Sequence, residues 1–198
     1  MTTSNTIGID LGDKSHEVCV INASGSIAHR ASILNMRKDL TQLAEAYCGS
    51  TVIMEAGTHS PWVSRHLKKR GMKVLVANPR RLRAIYESDH KSDERDAEML
   101  ARIGRFDPKM LYPISHNSEE CQRSLAKIKC RHALVSSRTA LVNTVRGLLK
   151  SQGTMLPSGT HTDAFARKAR EYLSQEDLKM VSHLLDTIES ISIQIKGS

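Results

Sequence analysis

The chain has 198 residues, enough for one sizeable domain and a smaller appendage, and its 39% of hydrophobic residues can form a real core. The excess of 29 Lys and Arg over 21 Asp and Glu gives a net charge of +8, which favours a polyanionic partner. No apolar run is long enough to span a membrane, the first residues lack a signal-peptide pattern, and the four cysteines show no Cys-x-x-Cys spacing. We therefore expect a soluble cytoplasmic protein with no membrane partner.

The first half of the chain alternates between short apolar runs and segments with helical spacing. Residues 39–47 carry apolar side chains at helical intervals, and Pro61 is suited to the first turn of a second helix. The predicted order is three strands, helix, strand, helix, strand, with the strands at about 6–11, 16–22, 27–33, 51–55 and 73–76. This order predicts an α/β fold of the ribonuclease-H-like type with a mixed five-stranded sheet.

The pattern becomes helical after Pro79. Helices are predicted at 93–103, at 119–151 and within 164–195, and long amphipathic helices of this kind often pair with each other or with a second subunit. We expect an α/β domain in residues 1–110, followed by a long-helix, coiled-coil-like region in residues 111–198.

Four acidic residues occur where they can meet. Asp10 and Glu55 each end an apolar run predicted to be a strand, and Asp93 and Asp96 are three residues apart on one helix face. Carboxylates in such a group can hold hard divalent cations such as Mg²⁺. Simpler interpretations stay open for each: Asp10 can cap a turn, and Asp93 can be the N-cap of its helix with Asp96 in the first turn.

Two stretches contain basic residues but no acid, one between Glu55 and Glu87 and one from Cys121 to His161. Stretches of one sign beside an acidic site suit contact with a phosphate backbone, although a solvated helix face is the simpler explanation of each. Aromatic residues make up only 4%, which argues against a stacking platform for single strands. The candidates for nucleic-acid binding are Lys68, Lys69, Arg80, Arg81, Arg83, Arg131, Arg138 and Arg146.

The chain resembles the DEDD transposases, the insertion-sequence family that includes the Piv pilin-gene invertase and the recombinases guided by a bridge RNA. The resemblance covers roughly residues 6–150. It is carried, in order, by Ile7-Gly8-Ile9-Asp10, Met54-Glu55-Ala56-Gly57, Val76-Ala77-Asn78-Pro79-Arg80-Arg81 and Lys91-Ser92-Asp93-Glu94-Arg95-Asp96-Ala97. The last motif more often has Thr at the position of Ser92.

The resemblance implies an amino-terminal RuvC-like domain in which Asp10, Glu55, Asp93 and Asp96 are the catalytic, metal-binding acids. It also implies Mg²⁺ or Mn²⁺ as cofactor, cleavage and exchange of DNA strands, a structured guide RNA as a further partner, and a location at the nucleoid. The long helices predict a homodimer or homotetramer. Family members carry a second domain with a nucleophilic serine. Nothing after residue 160 resembles that domain, so we expect a truncated chain that does not complete recombination alone.

Two other functions remain open from the sequence. Residues 7–12 also resemble the first phosphate loop of actin-like ATPases and sugar kinases, but no second such loop follows, and Asp93 and Asp96 stay unexplained. The third possibility is a non-catalytic module for nucleic-acid binding and dimerisation.

Overall fold

The structure is a computed structural model that describes residues 5–85, 92–157 and 164–197. The chain divides into two compact units, residues 1–116 and residues 117–198. The first unit contains strands β1 (Thr6–Leu11), β2 (Ser15–Ile21), β3 (Ile27–Leu34), β4 (Thr51–Glu55) and β5 (Lys73–Ala77). Its helices are α1 (Arg37–Ala46), α2 (Ser60–Lys68), α3 (Pro79–Ile85) and α4 (Asp93–Phe106), followed by a 3-10 helix at Pro108–Leu111.

The five strands form one mixed sheet in the order β3-β2-β1-β4-β5. β1 pairs antiparallel with β2 and β2 antiparallel with β3, whereas β4 pairs parallel with β1 and β5 pairs parallel with β4. A three-stranded meander extended by two parallel strands is the arrangement predicted from the sequence, so the ribonuclease-H-like fold is confirmed.

The two faces of the sheet pack against different helices, because side chains alternate along a strand. Ile7 and Ile9 of β1 share a buried cluster with Leu40 of α1 and with Val63 and Leu67 of α2. On the opposite face, Cys19 and Ile21 of β2 pack against Ala97 and Ala101 of α4. The residues that alternate with Ile7 and Ile9, which include Gly8 and Asp10, therefore face α4.

Helix α4 lies unusually close to β1 at Gly8. A Cβ atom at this position would overlap the carbonyl oxygen of Ala97 and would stand 2.6 Å from the backbone nitrogen of Ala101. Contact of backbone with backbone at this distance is possible only because residue 8 has no side chain. Gly8 thus sets the distance between the strand that carries Asp10 and the helix that carries Asp93 and Asp96.

The first unit continues past residue 110, the boundary expected from the sequence, to His116. The backbone nitrogen of Ile114 donates a hydrogen bond to the carbonyl oxygen of Val76 at 2.9 Å. His116 Nε2 lies 3.0 Å from Ser60 Oγ, at the first turn of α2. These contacts attach residues 112–116 to the sheet domain.

The second unit consists of α5 (Glu119–Ser151), α6 (Phe165–Tyr172) and α7 (Gln175–Lys196). The segment predicted as further helix is thus two helices, because Leu173 is extended and Ser174 begins α7 by accepting a hydrogen bond from the backbone nitrogen of Asp177 at 3.1 Å. The core of this unit is apolar and is formed by Val142, Val145, Leu149, Phe165, Ala166, Ala169, Val181, Leu185 and Ile188. In the part of the chain that the structure describes, no helix is both long and apolar enough to cross a membrane.

Candidate functional site

Asp10 and Glu55 stand at the carboxyl ends of neighbouring parallel strands, on the α4 side of the sheet. The register pairs Ile9 with Met54, so its continuation by one residue sets Asp10 beside Glu55. Ile53, two residues before Glu55, packs on the α4 side with Leu100, and alternation gives Glu55 the same side. Both carboxylates are half-buried. Two acids that lie 45 positions apart in sequence are thus neighbours in the sheet.

The first turn of α4 supplies the other two acids. Ser92 is the N-cap of this helix, because its Oγ accepts a hydrogen bond from the backbone nitrogen of Arg95 at 3.4 Å. The alternative that Asp93 is itself the N-cap is therefore wrong, and Asp93 and Asp96 both lie within the first turn. Asp93 is exposed and Asp96 is half-buried.

The negative charges of Asp93, Asp96 and Glu55 all act on the carboxyl group of Asp10. The pKa of the Asp10 carboxyl is raised from its ordinary 3.8 to about 6. Burial is the largest cause, the negative charges of Asp93, Asp96 and Glu55 add to it in that order of size, and a hydrogen bond from the backbone of Leu11 lowers it. Like charges act on a pKa in this way only over short distances. The two strand ends and the helix start therefore share one negative region with Asp10 at its centre.

The four carboxylates do not surround a single point. Among the described residues, no three acidic, histidine or cysteine side chains are arranged so that they could hold a metal ion. The chemistry of the donors nevertheless suits Mg²⁺ or Mn²⁺, which prefer carboxylate oxygens, and a cation would offset the repulsion recorded in the raised pKa of Asp10. The chemistry of the set therefore fits a hard divalent cation.

The raised pKa of Asp10 predicts how stability depends on pH without divalent metal. Because the folded chain holds this proton more tightly than the unfolded chain, stability falls as pH rises from about 4 to about 6 and stays reduced above that range. The loss is at most about 3 kcal/mol, and is smaller because water screens this partly exposed carboxyl. Urea unfolding, followed by the fluorescence of Trp62, the one tryptophan, measures it.

Two variants isolate the contribution of Asp10 from that of other titrating groups. Asp10→Asn should be more stable than the wild-type chain at pH 7 and no more stable at pH 4. Glu45→Gln removes the same charge from an exposed position on α1 and should leave the pH profile unchanged. If Asp10→Asn follows the wild-type profile across this range, the electrostatic description of the site is wrong.

A fifth acid, Glu17, lies beside the site and was not singled out from the sequence. It pairs with Asp10 across β1 and β2, and its Oε1 accepts a hydrogen bond from Ser32 Oγ at 2.5 Å. Glu17 and Ser32 also line a cavity of about 210 Å³ together with Glu94 of α4. The alternation of His16, Glu17 and Val18 gave a weak signal, but only the strand pairing identifies the neighbour of Asp10.

The predicted nucleic-acid-binding residues have different surroundings. Lys68, Lys69, Arg80, Arg81 and Arg131 are exposed, and Arg146 is half-buried. The guanidinium of Arg81 lies over the ring of Tyr112 at 5.3 Å, and that of Arg146 lies over the ring of Phe165 at the same distance. The side chain of Arg83 lies outside the described residues.

Arg138 requires a correction. Its side chain is only 7% exposed, and its Nη1 donates a hydrogen bond to Ser192 Oγ of α7 at 3.4 Å. A residue enclosed between two packed helices does not reach a phosphate backbone, so Arg138 does not belong to the nucleic-acid-binding set.

The sequence matches a family of known proteins over most of its length. The family model of the IS110-type DEDD transposases, described as "Transposase", matches residues 7–153. The transposase for insertion sequence element IS1111A of Coxiella burnetii is 25% identical over 158 residues, which are 77% of this chain and 41% of that protein. The transposase for insertion sequence element IS1328 of Yersinia enterocolitica is 28% identical over 159 residues, 80% of this chain and 46% of that protein. A putative transposase, y4rJ, of Sinorhizobium fredii is 30% identical over 204 residues, 92% of this chain and 48% of that protein.

The chain spans less than half the length of each of these relatives. Among solved structures, the Thermus thermophilus RuvC structure is similar at a TM-score of 0.41 and 14% identity, over 55% of this chain and 98% of that one. The match over residues 7–153 includes the strands, the first turn of α4 and all four acids, and the chain belongs to the DEDD transposase family of insertion sequences.

Proposed function

We propose that this chain carries the catalytic carboxylates of a DEDD transposase and acts in the metal-dependent cleavage and exchange of DNA strands. Asp10, Glu55, Asp93 and Asp96 are the residues that would hold Mg²⁺ or Mn²⁺. The observation that carries the proposal is the parallel pairing of β1 with β4, which sets Asp10 beside Glu55 on the side of the sheet that packs against α4. The pKa of Asp10 agrees with it, because burial and then the charges of Asp93, Asp96 and Glu55 raise it. A site that concentrates negative charge at the carboxyl ends of parallel strands is suited to cations.

Each part of the chain has its own task in such a site. A bound divalent cation supplies Lewis acidity toward a phosphate oxygen and helps to activate the attacking oxygen. Asp10 and Glu55 sit on the rigid sheet and fix the position of the site. Asp93 and Asp96 sit on the first turn of α4, where Ser92 caps the helix, and can move toward the strand ends by changes in side-chain rotamer.

DNA is the proposed substrate because exposed basic residues lie in the same unit as the acids. Lys68 is the last residue of α2 and Lys69 is its C-cap, and Arg80 and Arg81 are the second and third residues of α3. Pro79 starts that helix, so the two arginines are presented together on a short, fixed segment. In the second unit, Arg131 is exposed on α5. Cations of this kind bind phosphate without reading sequence.

Removing two of these cations should weaken the salt dependence of DNA binding. In Arg80→Ala combined with Arg81→Ala, the slope of log affinity against log salt should become shallower by about two, since each lost phosphate contact removes about 0.9. Fluorescence anisotropy of a labelled duplex over a range of NaCl concentrations measures the slope.

The matched control changes two exposed basic residues of α6, Arg167→Ala with Lys168→Ala. It removes the same charge, and its slope should stay closer to that of the wild type. Equal slopes for both double variants would mean that Arg80 and Arg81 do not contact the phosphate backbone of the DNA. A flat salt dependence of the wild-type chain would contradict DNA binding as proposed.

The remaining partners are proposed on weaker support. Helix α5 exposes Leu125 and Ile128, which are 42% and 64% accessible, and an exposed apolar helix face suits association with a second copy of the chain. A structured RNA is a further proposed partner, because it presents the same phosphate charge as DNA. Activity on DNA would place the chain in the cytoplasm at the nucleoid. An ATPase function is not favoured, since the matched family is one of transposases.

A further inference from the structure

The end of α4 that is remote from the carboxylates forms a concave surface with the turn between β2 and β3. This surface encloses about 510 Å³ and is lined by Ile21, Gly25, Arg102, Arg105 and Phe106. Phe106 is the last residue of α4, and Asp93 is its first. At a rise of 1.5 Å per residue, the two ends are about 20 Å apart. The surface is therefore separate from the four acids.

Phe106 is exposed to an unusual degree. Its side chain is 85% accessible, whereas Phe165, the other phenylalanine, is 1% accessible. Leaving a large aromatic ring in water forgoes the stabilisation that its burial would contribute. The ring thus presents a flat apolar face at the rim of the cavity and contributes little to the core.

Two guanidinium groups stand beside the ring. Arg105 donates through Nη2 to the carbonyl oxygen of Ala23, which holds its side chain against the turn. Its Nη1 is buried and has no hydrogen-bond partner among the described residues. Arg102 donates through Nε to Glu98 at 2.6 Å, and Glu98 also accepts from Arg30. The lining of the cavity therefore has an excess of positive charge, and the guanidinium of Arg102 is the exposed part of it.

We propose that this surface binds one unpaired nucleotide of a nucleic-acid strand. The base stacks on the ring of Phe106, and the phosphate accepts hydrogen bonds from the exposed guanidinium of Arg102. An aromatic face next to guanidinium donors is the combination that binds single strands without sequence preference. The overall charge of +8 favours the same partner. The inference rests on the proposed function only in that the partner is nucleic acid.

The low aromatic content does not conflict with this surface. A share of 4% argues against an extended row of stacked bases, but a single exposed ring can hold a single base. A nucleotide held about 20 Å from Asp93 would keep a flanking strand on the α4 side of the domain. Duplex DNA would not use the ring, because its bases are already stacked on each other.

The test compares an oligothymidine single strand with a duplex, each binding to the wild-type chain and to variants of Phe106. Phe106→Ala should weaken binding of the single strand about tenfold, in line with the loss of one stacked base. It should leave binding of the duplex within about twofold. Phe106→Tyr keeps a stacking ring and should restore single-strand binding, whereas Phe106→Leu is apolar without a ring and should not.

Leu34→Ala is the matched control, because Leu34 is an exposed apolar residue of the same unit at 52% accessibility. Trp62 fluorescence verifies that each variant unfolds like the wild type. If Phe106→Ala binds the single strand like Leu34→Ala, or if Phe106→Leu binds it like the wild type, the nucleotide site is refuted while duplex binding and the proposed function stand. Failure of the wild-type chain to bind the duplex would instead contradict the proposed function.

Discussion

Mg²⁺ at tenfold above its dissociation constant is expected to stabilise the first unit by about 1.4 kcal/mol at pH 7. The reason is that burial of Asp10, together with the negative charges of Asp93, Asp96 and Glu55, raises the pKa of Asp10 to about 6, so the four acids concentrate repelling charge near this carboxyl. A divalent cation removes that repulsion and binds only the folded chain. Thermal melting followed by the fluorescence of Trp62 reports this unit alone, because Trp62 is the one tryptophan and lies on α2.

Three controls decide whether the gain belongs to the four acids. NaCl at equal ionic strength should not reproduce it. Asp10→Asn combined with Asp96→Asn should abolish the gain, while Glu45→Gln, on the exposed side of α1, should retain it. A melting curve that does not respond to Mg²⁺ or Mn²⁺, or an equal response in the double variant, would remove the basis for a metal site here.

Gly8→Ala is expected to destabilise the first unit by about 3 kcal/mol, at the upper end of the range for overpacked cores. The added methyl would overlap the backbone of Ala97, and backbone cannot rotate away as a flexible side chain can. Helix α4 would have to move off β1. Urea unfolding monitored at Trp62 measures the loss.

Gly57→Ala is the matched control, because a Cβ at Gly57 has no neighbour within 4 Å. Its stability should stay within about 0.5 kcal/mol of the wild type. Displacement of α4 would also carry Asp93 and Asp96 away from Asp10, so Gly8→Ala should lose the stabilisation by Mg²⁺ as well. A variant that is as stable as Gly57→Ala would mean that α4 does not pack on β1 as described.

The strands and helices were predictable because their signals are local. The five predicted strands became β1 to β5, and the predicted helix at 93–103 became α4, which begins at Asp93 and ends at Phe106. Helix α4 extends past its predicted end at residue 103, because no proline interrupts the chain before Pro108. The position of Asp10 and Glu55 at strand ends was predictable for the same reason.

The environment of individual side chains was not predictable, because it depends on which helix face meets which neighbour. Arg138 lies in a basic stretch of sequence, yet the packing of α5 on α7 encloses it beside Ser192. Glu17 became visible as a neighbour of Asp10 only through the pairing of β1 with β2. Gly8 is needed because the backbone of α4 lies against it, and the sequence pattern of β1 alone does not predict that contact.

The most direct test of the metal site is a crystal structure of the chain grown with Mn²⁺ and a short DNA duplex, with anomalous scattering used to find the metal. The predicted result is anomalous density enclosed by the carboxylates of Asp10, Glu55, Asp93 and Asp96, with a phosphate oxygen completing the coordination, and loss of that density in Asp10→Asn. Density at other residues only, or the same density retained in Asp10→Asn, would contradict the assignment of these four acids as the metal ligands.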